Sequence, residues 1–419
     1  MISRGKTIRW ILLLPPVTAM AGAPEPLTFD AAWQRVLAAT PEAAVLAGER
    51  EAVAGEAEQA HRLPNPELSA DIENVLGTRP LRGVDAGEMT VQIRQTYVRA
   101  EKRAVRRHFA ESAFPVAEAE WAVRIANLRQ RTAAAFLTVQ TAQARAGLRR
   151  EAVELARRTV DTVRRQHEAG QASGIDLSRA GVELNSAQVG LDAAESAVTQ
   201  GRRALAVLWG APEADFSGVS GELDVATTLP DLHALETAIE SAPDLQLLAA
   251  EAGRRELALK FARSEPARDL GLAGGIRYFR DGSDAAFVVG VSIPLLVHDR
   301  NQGAIRAARA RLQQAPHQAA AVRLARRSEL AGAYADLASA QHEAAALARD
   351  VLPAANEVVR QNEEALAQGR VTLLQVLDAQ RTLLDARERR LDAVGRHLQA
   401  RVVLDRLTLP VAPPPNQAP

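Results

Sequence analysis

The phrase GQASGIDLSRA, Gly170 to Ala180, returns as GRVTLLQVLDA, Gly369 to Ala379, an offset of 199 residues (369 − 170). Aligned without a gap, Gly170 meets Gly369, Ser173 meets Thr372, Leu177 meets Val376 and Ala180 meets Ala379. Other matches keep nearly the same spacing: Pro41 with Pro243, Leu46 with Leu248, Pro64 with Pro266, Phe136 with Tyr334 and Gln143 with Gln341. A period this long is a duplicated domain, since solenoid units repeat every 20 to 50 residues or so. Whatever one half folds into, the other must also fold into.

Each half reads in the same order. A helix of about 34 residues comes first, Phe29 to Leu63 and again Leu232 to Arg263, with apolar residues at helical spacing. Asn65-Pro66 and Glu265-Pro266 end it, because proline disfavours helix in the residue before it. Two strand-like stretches follow in each half, at 66–75 and 88–98, then at 268–280 and 286–296. In MTVQIRQTYV, Met89, Val91, Ile93 and Tyr97 alternate with Thr90, Gln92, Arg94 and Thr96, the pattern of a strand with two unlike faces. Segments of about 9 to 11 residues suit a strand tilted across a membrane, and they equally suit a small soluble hairpin.

Very long helical tracts come next, Glu101 to Ala169 and Asn301 to Gln368. About 65 residues at 1.5 Å each would reach roughly 100 Å. Pro115, Pro316 and Pro353 are expected to bend or interrupt these tracts. The repeated phrase closes each tract. Gly170 and Gly369 stop a helix, and Ser173 and Thr372 cap the next one, so each half builds a hairpin of helices. Leu177, Ala180, Leu184 and Leu191, then Val376, Ala379 and Leu383, form its seams at steps of three and four.

Four strands per chain cannot close in lipid, where an unpaired strand edge costs several kcal/mol per group. If these strands enter a membrane, several chains must share one barrel. The start of the chain agrees with export. Arg4, Lys6 and Arg9 precede an apolar stretch followed by a small-residue cleavage site at Ala19-Met20-Ala21, or alternatively Ala21-Gly22-Ala23, the layout of a secretory signal peptide, taken as 1–21. Two structural repeats, 22–230 and 231–408, and a proline-rich, disordered tail at 409–419 are expected to follow. Lys+Arg 51 balances Asp+Glu 51, so the basic excess of a nucleic-acid binder is missing. With no cysteine, disulfides, thiolate metal sites and a cysteine-linked lipid anchor are all excluded.

The whole pattern resembles the TolC-like outer-membrane efflux proteins. The resemblance rests on the strand-and-helix order, the duplication, and the tip motifs Gly170-x-x-Ser173-x-x-Asp176 and Gly369-x-x-Thr372-x-x-Gln375. The phrase VSIPLLVHDRNQGAIRAARA, Val291 to Ala310, is similar to the heavy-metal resistance branch of that family. Membership implies a mainly α fold with a transmembrane β-barrel portion: a homotrimer with a shared 12-stranded barrel and a periplasmic helical tunnel. It implies tips docking on a periplasmic adaptor coupled to an inner-membrane RND pump. By the same resemblance Asp176, Gln375 and Asp378 fall at the pore gate, and Gly170, Ser173, Gly369 and Thr372 at the adaptor-docking tips. The region Trp209 to Pro230 corresponds to a collar around the tunnel.

Asp176 also reads as an ordinary first-turn acid favoured by the helix dipole. At the strand-to-helix junction, Asp299, Arg300, Asn301 and Gly303 are expected to serve structure, with Asp299 or Asn301 capping the helix that follows. Enzyme readings find no footing. The eight histidines are scattered, with no HExxH, GxSxG or GxGxxG, so no catalytic residue, metal site or cofactor is assigned. The rival reading is a periplasmic coiled-coil adaptor, but adaptors carry one hairpin between β-rich halves, whereas this chain has two hairpins.

Overall fold

A computed structural model describes residues 26–225 and 228–410. The expected signal peptide lies outside the described residues, as does the tail beyond Pro410. Elements run α1 (Phe29–Ala39), α2 (Glu42–His61), β1 (Glu67–Glu73), β2 (Glu88–Tyr97), α3 (Ala100–Glu111), α4 (Ala113–Glu168) and α5 (Gly174–Val207). The order then repeats as α6 (Leu232–Ala238), α7 (Pro243–Ser264), β3 (Leu270–Phe279), β4 (Asp284–Ser292), α8 (Gln302–Ala346), α9 (Leu352–Ala367) and α10 (Leu373–Thr408).

The opening helix expected in each half is in fact two. Thr40 and Ala242 both take extended backbone, and the chain restarts at the matched Pro41 and Pro243. Proline rarely sits inside a helix but suits its first turn, where its missing N–H is not needed. The three expected proline breaks have different outcomes. The first long tract is divided at Ser112, with Pro115 in the first turn of α4. Pro316 interrupts nothing, because α8 runs through it for 45 residues. Pro353 follows a π-helical turn, Leu347–Val351, that separates α8 from α9, whereas α4 runs 56 residues unbroken.

The two hairpins are packed by small residues at coiled-coil steps. On α4, Phe136, Val139, Ala142 and Ala146 are buried, followed by Val153, Ala156, Val160 and Val163. Opposite them on α5, Gly201 brings the backbones close, since a Cβ there would sit 3.4 Å from Cγ2 of Val139. Helix α10 joins the halves, with Arg149 2.5 Å from Glu388 and Arg387 2.5 Å from Glu151 across its contact with α4. The duplication is visible in the core. Phe136, Val139 and Leu205 form one cluster, and their repeat-mates Leu337 and Leu404 another, with Ile239 and Leu330. The segment after α5 folds onto the middle of α4. There Phe216 is buried against Phe136, and Val219 pairs in parallel with Leu27.

All four strands form one antiparallel sheet in the order β1-β2-β3-β4, so β1 and β4 are open edges. The last strand stops at Ser292, short of the expected 296, because Pro294 has no N–H to give the ladder.

Candidate functional site: the two hairpin tips and the sheet

Alternation decides what each face of the sheet meets. Leu68, Ala70 and Ile72 on β1 pair with Ile93, Val91 and Met89 on β2, and Met89 and Val91 pair with Tyr278 and Ile276 on β3. Ile276, in turn, pairs with Phe287, and Leu272 with Val291. One face is therefore apolar from edge to edge. It is also bare in the single chain, with Phe287 89% exposed and Val289 83%. Tyr278 pairs with Met89, and Tyr97 lies eight residues further along β2, about 27 Å at 3.4 Å per residue. At a tilt of about 40° this spans about 21 Å, close to the apolar height of a membrane barrel between its aromatic girdles.

The opposite face is polar. Arg277 donates to the Thr90 hydroxyl at 2.9 Å and to Glu88 at 3.0 Å, and lies 3.2 Å from Glu73. One cation thus links three strands on the side a lumen would occupy.

The tips are built as the repeated phrase requires. Gly170 and Gly369 have φ of +74° and +68°, the left-handed region that glycine enters without a Cβ clash. Ser173 accepts from the Asp176 N–H at 3.1 Å and donates its hydroxyl to the Asp176 carboxylate at 2.6 Å, a reciprocal cap on α5. In the second tip the Gln375 amide oxygen accepts from the Thr372 N–H at 2.9 Å and from its hydroxyl at 3.1 Å. Asp176 and Gln375 thus do the same capping work. Val160, Val163 and Ala180 pack on Leu366, Leu373 and Val376, and the Gln166 side chain bonds the Leu366 carbonyl, so the two tips lie side by side. Asp378 is exposed on α10, in a groove of about 490 Å³ that Gln375, Val351 and Val358 also line. Asp176 stands in the first turn of α5.

The hydrogen bond from Ser173 holds the Asp176 carboxyl below the usual carboxylate range. A depressed folded pKa gives stability that is present above the ordinary value and lost as pH falls through the folded one. The first tip should therefore loosen in acid while the Thr372–Gln375 tip does not. Ser173→Ala should cost about 1 kcal/mol of α5 capping. Amide exchange in the first turns of α5 and α10, followed from pH 7 down to 3, checks both. Equal responses at the two tips would contradict the assignment.

The junction before α8 departs from expectation. Neither Asp299 nor Asn301 caps the helix. Asn301 takes φ +58° and donates its amide to the Ala262 carbonyl at 2.7 Å, while Asp299 accepts from the Asn301 N–H at 2.8 Å. Arg300 donates to the Leu296 carbonyl at 3.2 Å, and Gly303 lies in the first turn of α8. These residues tie the exit from β4 to the end of α7.

Lys102, which the sequence did not single out, does the same for the other strand pair. Only 5% exposed, it donates to the Glu265 carbonyl and the Asp269 carboxylate, both at 3.0 Å. The one available signal was composition, since lysine occurs only at positions 6, 102 and 260 in a chain with 51 Lys+Arg. Among the described residues no group of three His, Asp or Glu could hold a metal ion, and no helix is long and apolar enough to cross a membrane.

Known proteins carry the same arrangement. The chain is 30% identical over 278 residues to the cobalt-zinc-cadmium resistance protein CzcC of Cupriavidus metallidurans, a match spanning 66% of this chain and 65% of that one. It is 26% identical to the nickel-cobalt-cadmium resistance protein NccC of Alcaligenes xylosoxydans xylosoxydans over 77% of this chain and 74% of that one. In fold it is similar to the outer-membrane channel OprN, with a TM-score of 0.74 at 17% identity over 91% of this chain and 89% of that one. CusC, described as forming a transmembrane channel, gives 0.72 at 16% identity over 91% of each. The likeness to both is in the fold, one small antiparallel sheet with long helical hairpins running from it. The family described as outer membrane efflux protein matches at residues 32–211 and 234–408, one stretch in each half, and the chain belongs to that family.

Proposed function

We propose that three copies of this chain form the outer-membrane exit duct of a tripartite efflux system that exports metal cations or small toxic compounds. The observation that carries this reading is the sheet: its two edges are unpaired, and its outward face is apolar across all four strands. A bilayer accepts such a sheet only when other copies complete it, and three copies supply 12 strands. The helices then form a tunnel, which the described parts of the collar segment, 209–225 and 228–230, encircle at mid-height. Edge helices α5 and α9 support ring closure. Val182 and Val189 on α5, and Val358 on α9 with Val351 at the end of the π turn before it, are exposed at heptad spacing.

The tips dock on a periplasmic adaptor that couples the duct to an inner-membrane RND pump. Ile175 and Leu374, equivalent in the two repeats, stand exposed there beside the turns formed by Gly170, Ser173, Gly369 and Thr372. Asp176, Gln375 and Asp378 form the gate, where three copies of each acid attract cations. The names of CzcC and NccC favour metal cargo. The duct performs no chemistry, and its driving energy comes from the pump.

Purified from outer membranes, the protein should run as an SDS-resistant trimer that collapses on boiling, and should conduct in a planar bilayer. Asp378→Ala should lower cation selectivity in monovalent salt and weaken block by divalent cations. A monomeric, soluble periplasmic product would overturn the proposal.

A further inference from the structure

The end of the sheet away from the helices carries a loop that no duct function requires. Residues 74–87 join β1 to β2 and are folded tightly on themselves. Leu76 N–H donates to the Gly83 carbonyl at 2.7 Å, Gly77 N–H to Leu81 at 2.9 Å, and Gly87 N–H to Val84 at 3.0 Å. A Cβ on Gly77 would meet that of Leu81 at 2.8 Å, so the turn admits only glycine there. Leu76 and Arg79 hold φ of +59° and +56°, which leucine and arginine rarely adopt. Strain of this kind persists where the surroundings impose it for a purpose.

What the loop displays is consistent. Leu76 is 82% exposed, and Val75, Leu81 and Val84 are exposed beside it. Together they extend the apolar outward face of Ile72 and Met89 past the strand ends. Among them stand Arg79 and Arg82, with Arg280 on the adjoining β3–β4 turn, where its N–H donates to Gly87 at 3.0 Å. None of these three guanidinium groups has a hydrogen bond or ion pair among the described residues, in a chain that pairs most of its arginines. Asp85, Asp281 and Asp284 share the rim without pairing with any of the three, so the surface is a mixed one in which guanidinium groups and carboxylates are equal in number. The loop begins just beyond Tyr278, the aromatic that marks the edge of the apolar band, and so lies level with head groups.

Apolar side chains meeting acyl chains, with planar guanidinium groups at head-group height, suit an amphiphile whose head bears phosphate, which arginine binds in a bidentate fork. We propose that this loop, together with Arg280, is a docking surface for a phosphorylated glycolipid of the outer leaflet. The proposal rests on the membrane reading above and adds to it a specific lipid.

Full-length protein would be reconstituted in nanodiscs of phosphatidylcholine alone, of phosphatidylcholine with phosphatidylglycerol, and of phosphatidylcholine with bisphosphorylated lipid A. The readouts are lipid A retained per trimer after detergent extraction and the temperature at which the SDS-resistant trimer dissociates. Lipid A should be retained and should raise that temperature, and phosphatidylglycerol should do neither. The double variant Arg79→Gln/Arg82→Gln should retain about tenfold less lipid A and lose the rise while inserting normally. Equal effects of the two anionic lipids, or full retention by the double variant, would overturn the proposal. So would trimer loss by Leu76→Ser in phosphatidylcholine alone, because the loop would then be covering a neighbouring copy. Failure of the wild-type chain to insert at all would instead count against the duct itself.

Discussion

Gly275→Val is expected to abolish the folded sheet and with it the outer-membrane trimer. A Cβ at this position would lie 2.3 Å from the Val91 carbonyl oxygen and within 2.7 Å of Gln92 Cα. Both belong to backbone that cannot turn aside, so β2 and β3 would have to part along a ten-residue ladder. The cost should exceed about 4 kcal/mol, the range reserved for substitutions that break a core element. Gly274→Ala supplies the control one residue away. It has nothing within 4 Å of its added Cβ and faces outward, so it should change stability by less than about 1 kcal/mol. The fraction of SDS-resistant, heat-modifiable trimer in outer membranes reads both. Similar losses in the two variants would show that glycine matters here for strand flexibility in general and not for the close approach.

The second large effect is expected at Asp244, on α7. Its carboxylate lies 2.9 Å from Arg406 on α10 and 2.9 Å from Arg326 on α8, so one acid binds three helices. The Arg406 side chain is 5% exposed, with Asn127 at 2.7 Å as its other partner. Asp244→Ala leaves that buried cation without its counter-charge, which should cost about 3–5 kcal/mol. Glu357→Ala, which removes an exposed partner of Arg360, should lower the melting temperature far less. Burial opposes ionisation of Asp244, but Arg406 and Arg326 outweigh it and hold its pKa below the ordinary value of 3.8. Its contribution is therefore complete at neutral pH and fades as pH falls from about 4 through the folded value. Thermal denaturation monitored by circular dichroism at pH 7 and pH 3 tests this. The gap between wild type and Asp244→Ala should narrow in acid, and a gap that widens would refute the sign.

Much of this architecture was legible because it was written twice. Gly170 and Gly369 could be read as helix stops, and Ser173 and Thr372 as caps, since each explained the other across the repeat. The strand faces were legible from alternation at Met89, Val91 and Ile93. Other features depend on partners distant in sequence. Pro41 and Pro243 matched, yet whether a proline starts, bends or leaves a helix depends on its surroundings, as Pro316 shows. Lys102 is anchored by Glu265 and Asp269, and Arg406 by Asp244, separations of more than 160 residues that no local pattern reveals. At the junction, Asn301 had the composition of a cap but spends its amide on Ala262, a carbonyl left free where α7 ends.

Among the described residues the π turn at Leu347–Val351 occurs in only one half of the duplication. An unbroken rod of 56 residues resists bending along its full length, while a rod with one weakened collar, followed by a proline that removes a further bond, yields at that collar. A torque applied to both tips would leave one arm stiff and flex the other. Once doubled, the ancestral arm was free to become a beam in one copy and a jointed lever in the other.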